Sequence, residues 1–391
     1  MPFHFAKRAP MTSFDTIFAV ATPPGRSAIA VIRISGPKAH LSPALFAANC
    51  PAAGQFCLAR LRAGDRIIDE AMILFMAAPK SSTGEDVCEI HCHGSIAVIQ
   101  LILDILAKTA GFRLADAGEF TRRAFTNRKM DLLAVEGLAD VIEAETPNQL
   151  YQAWSQIDGA LRSPVSRWRA DLISVAAQLE ALIDFADEDL PDHVEIRLRE
   201  RTSTLITDIA TNLDDDRAGE LIRDGVVVAL VGPVNAGKST ILNGLAGRAA
   251  AIVSDEAGTT RDIVSVRLDL KGVPTSILDT AGLRDTAGTT EAEGIRRSIE
   301  AAQHADVVVL IADASSSYWQ QDVTDISGRM GRVDLLVLNK IDYGVPAVVP
   351  ADAMLISAKK DTDITKLMTR LAAMIIPHNQ VQNNAIITRL R

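Results

Sequence analysis

One stretch, in which an apolar run turns into a glycine-containing loop and then a helix, constrains this chain more than any other. The loop reads Gly-Pro-Val-Asn-Ala-Gly-Lys-Ser over residues 232–239, after an apolar run at 226–231 and before a helix-compatible segment at 240–245. Such a loop turns backbone N–H groups and a helix N-terminus toward phosphate oxygens. Lys238 can reach the β- and γ-phosphates, and Ser239 can bind Mg²⁺. The pattern therefore predicts a nucleotide phosphate site in preference to an ordinary glycine-rich turn.

Four further motifs follow in the order that a guanine-nucleotide switch requires. Gly-Thr-Thr-Arg-Asp at 258–262 supplies Thr260 as a second Mg²⁺ ligand, and Asp-Thr-Ala-Gly at 279–282 places a carboxylate near the metal. Asn-Lys-Ile-Asp at 339–342 ends an apolar strand, and Ser-Ala-Lys at 357–359 ends another. The Asp342 carboxylate can accept from the ring N–H and amino group of guanine, whereas adenine would leave it unsatisfied.

These motifs together predict a GTP site. Its predicted residues are Asn235, Ala236, Gly237, Lys238, Ser239, Thr240, Ser254, Thr259, Thr260, Asp279, Thr280, Ala281, Gly282, Asn339, Lys340, Asp342, Ser357, Ala358 and Lys359. The alternation of strands and helices through this region predicts a mostly parallel sheet with its ligand at the strand ends.

The hydrolytic machinery departs from the pattern of a Ras-like switch. Residue 283 is a leucine where a glutamine would orient water, and no arginine finger can be assigned. Asn235 offers an oxygen that could hold a monovalent cation against the phosphates, and Glu291 could orient the attacking water. Spacing alone leaves an exposed loop carboxylate as an equal interpretation of Glu291. The predicted catalytic residues are Lys238, Asn235 and Glu291.

The charge balance argues against a general attraction to nucleic acid. The 391 residues include 40 basic and 49 acidic residues, for a net charge of −9, so contact with RNA requires a local patch. Four cysteines in so long a chain favour a reducing compartment over a disulfide framework, and no apolar run has the length of a membrane span. We expect a cytoplasmic protein without a membrane partner, and Met11 is a candidate start.

Residues 1–118 have the pattern of a small α+β domain. Apolar runs predict strands at 15–21, 27–35, 69–76 and 86–93 and a helix at 96–108. The last strand suggests a metal cluster of Cys88, His91, Cys92 and His93. A period of two nevertheless places the cysteines on one face and the histidines, with Glu89, on the other. We therefore expect a strand edge with one polar, site-facing side, and a metal site is the weaker alternative.

Residues 119–220 predict a helical bundle, with helices near 132–142, from 164 onward and at 194–217. The densest basic cluster, formed by Arg122, Arg123, Arg128 and Lys129, by itself indicates a solvated helix face. The four carboxylates within residues 184–189 indicate a solvated loop in preference to a cation site.

Motifs outside the nucleotide site make the whole chain similar to the MnmE (TrmE) family of tRNA modification GTPases. They include Ala21-Thr-Pro-Pro-Gly-Arg26, Arg33-Ile-Ser-Gly36, Thr83-Gly-Glu-Asp86, His93-Gly94, Gly118-Glu-Phe-Thr121 with Arg123-Ala-Phe125, and Asp184-Phe185. The resemblance implies an N-terminal α+β, folate-binding and dimerising domain at 1–118 and a helical domain at 119–220. It further implies an inserted P-loop GTPase domain at 221–377 and the start of a C-terminal helical segment at 378–391.

Several roles are implied by the resemblance alone. A 5-formyl-tetrahydrofolate would contact Arg33, Glu89 and Lys129. Potassium would be held by Asn235, Ser254, Glu256 and Thr259, and Glu291 would orient water. The family forms a homodimer, and it modifies the wobble uridine of certain tRNAs together with the flavoprotein MnmG.

The chain also departs from the family's pattern. Its phosphate loop has proline at position 233, one place earlier than usual, and Ser95 stands where a second glycine is common. It ends at 388–391, where the family's last helices and terminal Cys-x-Gly-Lys would follow, so we expect an open helix seam and neither the terminal cysteine nor the terminal lysine.

Two alternatives remain: a nucleotide-dependent scaffold without modification activity, and a ribosome-assembly GTPase related to Era or Der, against which the front-domain motifs argue.

Overall fold

The protein is described by a computed structural model that covers residues 15–184, 193–214, 216–248, 264–279 and 302–375. The chain divides into two compact units, Met1–Val135 and Glu136–Arg391. Each unit has its own hydrophobic core.

The first unit is built on a six-stranded sheet in the order β3-β4-β5-β2-β1-β6. The strands are β1 (Thr16–Val20), β2 (Ser27–Ser35), β3 (Gln55–Ala63), β4 (Arg66–Met76), β5 (Val87–Gly94) and β6 (Phe112–Leu114). The β1–β6 pair is parallel and the other pairs are antiparallel. A 3₁₀ helix (Ala39–Phe46) and α1 (Ile96–Lys108) pack on the sheet, with Ile102 and Leu106 of α1 buried against Phe18 and Ile90.

The predicted strands and helix of this unit are confirmed, but β3 and β6 were not predicted. The hydrophobic residues of β3 do not mark one buried face, because Phe56 and Leu58 are exposed while Leu61 is buried. The expectation that residues 86–93 form a strand edge is wrong, since β5 pairs with β4 on one side and β2 on the other. Its cysteines do lie in the core, as the period of two requires.

A buried network of charged side chains links α2 (Glu119–Thr126) to the sheet of the first unit. Glu119 is fully buried and accepts hydrogen bonds from Arg113 Nη1 and Nη2 at 2.8 and 2.6 Å and from Arg123 Nη2 at 3.1 Å. Arg123 also pairs with Glu85 at 3.0 Å. The prediction of a solvated face is therefore wrong for Arg123, because its guanidinium lies inside this network.

The second unit begins with helices. These are α3 (Leu132–Glu143, which contains the division between the units), α4 (Pro147–Ile157), α5 (Arg162–Asp184), α6 (His193–Asp214) and α7 (Asp216–Asp224). The helix predicted over 194–217 is present as α6 over residues 193–214, and α7 begins at residue 216. Thr146 and Gln149 form a capping box at the start of α4, and the Thr146 hydroxyl also donates to Gly272 O at 2.9 Å. None of the helices in the described ranges combines the length and apolar character that a bilayer crossing requires.

A second six-stranded sheet follows in the order β12-β11-β10-β7-β9-β8. Its elements are β7 (Val226–Val231), α8 (Lys238–Ala246), β8 (Val264–Leu270), β9 (Val273–Asp279), β10 (Val307–Asp313), α9 (Trp319–Met330), β11 (Leu335–Asn339), β12 (Met354–Leu355) and α10 (Asp361–Ile375). The β8–β9 pair is antiparallel and the remaining pairs are parallel, so the predicted mostly parallel sheet is confirmed.

Both faces of this sheet are covered, which explains why its central strands are continuous apolar runs. On one face, Val228 and Leu230 of β7 belong to a core cluster with residues of α8 and α10. On the other face, Ala229 and Val231 pack with residues of α9. The parallel strands therefore bring their carboxyl ends to one edge, where the predicted motifs lie.

Candidate nucleotide site

The phosphate loop joins β7 to α8 and depends on two crowded glycines. Gly232 has φ 151°, and a Cβ atom there would lie 2.0 Å from the carbonyl oxygen of Ile311. Gly237 has φ 96°, and a Cβ atom there would lie 2.2 Å from Asn339 Nδ2. Larger residues would displace the loop from the sheet edge at both positions. Between them, Asn235 adopts a left-handed φ of 63° and is exposed.

The first residue of α8, Lys238, is a buried cation. Only 4% of its surface is exposed, and its Nζ donates to the carbonyl oxygens of Gly232 and Pro233, both at 2.7 Å. Burial lowers the pKa of Lys238, although the charge of Asp279 opposes this effect. The ammonium is thus desolvated within the loop itself, a position in which an anionic phosphate would be a strong additional partner.

Ser239 and Asp279 supply hard oxygen ligands next to the loop. The Ser239 hydroxyl donates to Asp279 Oδ2 at 2.6 Å, and Asp279, at the end of β9, is 1% exposed. A hydroxyl and a carboxylate so arranged suit Mg²⁺, which binds through few protein oxygens together with water and substrate phosphates. This pair fits the predicted magnesium site.

The base-reading motifs are tied to the phosphate loop through Asn339. Its Nδ2 donates to Ala236 O and its Oδ1 accepts from Ala358 N, both at 2.9 Å, and the residue is 1% exposed. One buried amide therefore joins three motifs that are far apart in sequence. The described parts of these three motifs therefore meet at the sheet edge.

Asp342 lies at the mouth of the same region. Its Oδ1 accepts from the Ser357 hydroxyl at 2.8 Å, and its Oδ2 accepts from Lys359 Nζ at 3.3 Å. The Ser357 hydrogen bond is the main cause of a lowered pKa of Asp342; desolvation opposes it, and a backbone hydrogen bond and the Lys359 contact add to it. The carboxylate is therefore ionised at neutral pH, as recognition of two guanine donors requires. These groups border a pocket of about 290 Å³ that also involves Gly237, Thr240, Ser315, Asn339, Lys340, Tyr343 and Ala358.

Three residues of the site were not predicted from the sequence: Asp313, Ser315 and Tyr343. Asp313 ends β10 and accepts from Lys340 Nζ at 2.7 Å, which fixes the lysine of the base-reading motif. Its position after an apolar strand, like that of Asp279, is a signal that could have revealed it. Tyr343 accepts from Lys359 Nζ at 2.7 Å. No sequence pattern marks Tyr343, since only the folded loop brings it to Lys359.

Several predicted residues lie outside the described residues. They are Ser254, Glu256, Thr259, Thr260, Thr280, Ala281, Gly282 and Glu291. Their assigned roles in magnesium, potassium and water binding stay predictions.

A second set of predicted site residues lies in the first unit. Arg33 Nε donates to Glu89 Oε1 at 2.8 Å, and the guanidinium carbon of Arg33 is 5.8 Å from the ring centroid of Phe120. Burial opposes ionisation of Glu89, but hydrogen bonds from Arg33 and His91 outweigh it and lower the pKa of Glu89. Lys129 donates to Pro79 O at 2.9 Å. The structure thus pairs Arg33 with Glu89 and gives Lys129 a different partner.

Comparison with known proteins matches both units to described families. Residues 16–129 match the sequence model of the GTP-binding protein TrmE N-terminus, and residues 132–391 match that of the MnmE helical domain. A Parvibaculum lavamentivorans protein named tRNA modification GTPase MnmE is 46% identical over 383 residues, which cover 96% of this chain and 85% of the relative. A Maricaulis maris protein of the same name is 45% identical over 379 residues, with the same two coverages.

Solved structures also match part of the chain. The FeoB G-domain from Methanococcus jannaschii is 25% identical, with a TM-score of 0.29, and the match covers 38% of this chain and 97% of that one.

Proposed function

The chain belongs to the MnmE family of tRNA modification GTPases, and from that premise we propose that it is a potassium-activated GTPase whose hydrolysis drives modification of the tRNA wobble uridine together with MnmG. GTP would bind where the phosphate loop meets the motifs at 339–342 and 357–359. The observation that carries this proposal is the buried Lys238 ammonium at the sheet edge that also holds Asn339 and Asp342.

Recognition of the nucleotide would follow from groups that are already ordered. Loop N–H groups and Lys238 would bind the phosphates, and the Asp342 carboxylate would accept from the ring N–H and amino group of guanine. Ser239 and Asp279 would hold Mg²⁺, Asp279 through its fixed position at the end of β9, and Thr260 would add a hydroxyl. When bound, the metal neutralises charge that develops on the phosphate oxygens.

Hydrolysis in this proposal requires a second cation and an oriented water. The exposed side chain of Asn235 would hold K⁺, with Ser254, Glu256 and Thr259 as further ligands, and Glu291 would align the attacking water. The exposure of Asn235 supports this role, because its side chain is accessible to an ion at the loop that would surround the phosphates.

The remaining elements of the proposal depend more heavily on family membership. A 5-formyl-tetrahydrofolate would bind the first unit at Arg33, Glu89 and Lys129, and the Arg33–Glu89 pair supplies a fixed cation and an ionised carboxylate suited to a polar ligand. The first unit would also form a homodimer. The tRNA and MnmG would be partners of that assembly in the cytoplasm.

Potassium dependence and Glu291 provide the test. At equal ionic strength and saturating Mg²⁺, replacement of K⁺ by Na⁺ should slow GTP hydrolysis by about 10²–10³-fold, the loss expected for one electrostatic stabiliser of the transition state. Glu291→Ala should reduce hydrolysis to a trace while the affinity for a non-hydrolysable GTP analogue stays the same, and Glu293→Ala is the matched control. Equal rates in the two salts, or full turnover by Glu291→Ala, would reject this mechanism.

The link to tRNA requires a separate measurement. Mass spectrometry of wobble uridines should detect the aminomethyl-type modification in a strain whose only source of this activity is the present chain. A strain carrying Lys238→Met in the same chain should lack it. Absence of the modification in both strains, with GTP hydrolysis intact in the unaltered protein, would leave a GTPase without modification activity.

A further inference from the structure

Tyr343 lies directly after the base-reading motif and contacts the lysine of the last motif. Lys359 Nζ donates to the Tyr343 hydroxyl at 2.7 Å and to Asp342 Oδ2 at 3.3 Å, and it lies 4.5 Å from the centroid of the Tyr343 ring. The Lys359 ammonium is therefore shared between a tyrosine and the carboxylate that would read guanine. The tyrosine contact is the shorter of the two.

This sharing affects the acceptor capacity of Asp342. Guanine offers two parallel donors, its ring N–H and its amino group, and a carboxylate meets them with its two oxygens. In the structure the Ser357 hydroxyl already donates to Oδ1, while the Lys359 ammonium is at the outer limit of hydrogen-bond distance from Oδ2. A closer ammonium would occupy Oδ2 and weaken its interaction with the base, because the ion pair adds a Coulomb attraction that the neutral N–H donors of guanine lack.

We propose that Tyr343 is a positioning residue for guanine recognition, whose hydroxyl holds the Lys359 ammonium away from Asp342 Oδ2. The inference rests on the proposed guanine-nucleotide site and adds a residue to it. Tyr343 acts through Lys359, so its effect depends on the lysine charge. Both side chains are largely exposed, which allows Lys359 to shift toward Oδ2 once the hydroxyl is removed.

A double-mutant cycle on the full chain tests this dependence with fluorescently labelled GDP as the probe. Tyr343→Phe keeps the ring and removes the hydroxyl, and it should raise the Kd for GDP by about three- to tenfold, the range expected for the redirection of one charge-assisted hydrogen bond. In a Lys359→Met background, which keeps the side-chain length without the charge, the same substitution should change Kd by less than about 1.5-fold, because an effect that acts through the lysine charge is lost with that charge, whereas independent substitutions would give the same fold-change in both backgrounds.

Control variants separate this role from packing. Tyr151→Phe removes the hydroxyl of an equally exposed tyrosine on α4 and should leave Kd unchanged. An unchanged Kd in Tyr343→Phe would overturn the inference, as would an equal rise with and without the Lys359 charge, since a packing role does not depend on that charge. Failure of the unaltered protein to bind GDP would instead reject the proposed nucleotide site, so the two failures are distinguishable.

Discussion

The two units of this protein bury charge in opposite ways. In the first unit, the Glu119 carboxylate is enclosed by two guanidinium groups and by the N–H of Asp116, and every one of these partners belongs to the same unit. In the second unit, the Lys238 ammonium is buried against two carbonyl oxygens of its own loop. The first arrangement neutralises its charge internally, whereas in the second the carbonyl dipoles and the nearby charge of Asp279 only partly compensate the positive charge.

This difference distinguishes the motif at residues 118–121, whose role is structural, from the phosphate loop at residues 232–239, whose role is functional. The Gly118-Glu-Phe-Thr121 motif contributes strongly to the family resemblance, yet its glutamate holds α2 to the sheet. The lysine of the phosphate loop bears a desolvation cost that a bound phosphate would offset. A buried charge that is paired within its own unit therefore indicates stability, and one bonded only to loop carbonyls indicates a ligand.

Removal of Glu119 should give the largest effect on stability. Glu119→Ala leaves Arg113 and Arg123 without their shared carboxylate, and loss of one partner of a buried ion pair costs about 3–5 kcal/mol. Chemical denaturation should therefore show a lower free energy of unfolding for the first unit. GDP affinity, measured on the second unit's site, should not change.

Asp116→Ala is the control for this prediction. The Asp116 side chain is exposed and lies 3.9 Å from Arg122, so its removal should cost less than about 1 kcal/mol. Equal stability losses in the two variants would mean that the buried network is not the source of the effect.

Removal of the Lys238 charge should have the opposite effect to removal of Glu119: it should reduce GTP hydrolysis without reducing stability. Lys238→Met keeps the methylene chain, and hydrolysis should fall by about 10²–10³-fold, as expected when one electrostatic stabiliser is lost. The free energy of unfolding should stay the same or rise, because a buried cation is replaced by an apolar group of similar size. Lys366→Met, on the exposed face of α10, is the matched control. Substantial GTP turnover by Lys238→Met would contradict the distinction between the two kinds of buried charge.

The pH dependence of the stability of the first unit should also reflect its buried Glu119 carboxylate. Burial opposes ionisation of Glu119, but hydrogen bonds from Arg113, Asp116 and Arg123 outweigh it and lower the pKa of Glu119 from 4.5 to about 2. In this window the unfolded chain binds a proton that the folded state does not, so the stabilisation is complete above pH 4.5 and is lost as the pH falls toward 2. The loss amounts to about 3 kcal/mol.

Glu119→Gln tests this assignment, because it cannot titrate. Calorimetry between pH 5 and 2 should show that the free energy of unfolding of the variant falls by about 3 kcal/mol less than that of the unaltered protein. An identical pH dependence in the variant and the unaltered protein would assign the acid response to other carboxylates.

The sequence allowed prediction of those parts of the fold that short segments encode. A strand, a glycine-bearing loop and a helix are contiguous at 226–246, so the phosphate loop was predictable, and so was the edge at which Asn339 and Asp342 lie. The place of β5 inside its sheet was not predictable, because it depends on pairing with the distant β2 as well as with the preceding β4.

Long-range partners explain the remaining errors within the described residues. Arg123 occupies a helix whose local pattern suggests exposure, but it is buried in contact with Asp15 and Glu85, which lie on other segments of the chain. Asp313 and Tyr343 gain their roles from lysines that are 27 and 16 residues away. Such pairings arise from tertiary structure, which the spacing of residue types along the chain does not record.

Calorimetric titration of the full chain with GDP and with ADP, each in the presence of Mg²⁺, measures whether the site at Lys238 and Asp342 selects guanine. We expect one saturable guanine site per chain that is lost in Lys238→Met, together with no measurable binding of ADP, whose adenine cannot satisfy Asp342. Equal heats for the two nucleotides, or guanine binding that persists unchanged in Lys238→Met, would contradict this expectation.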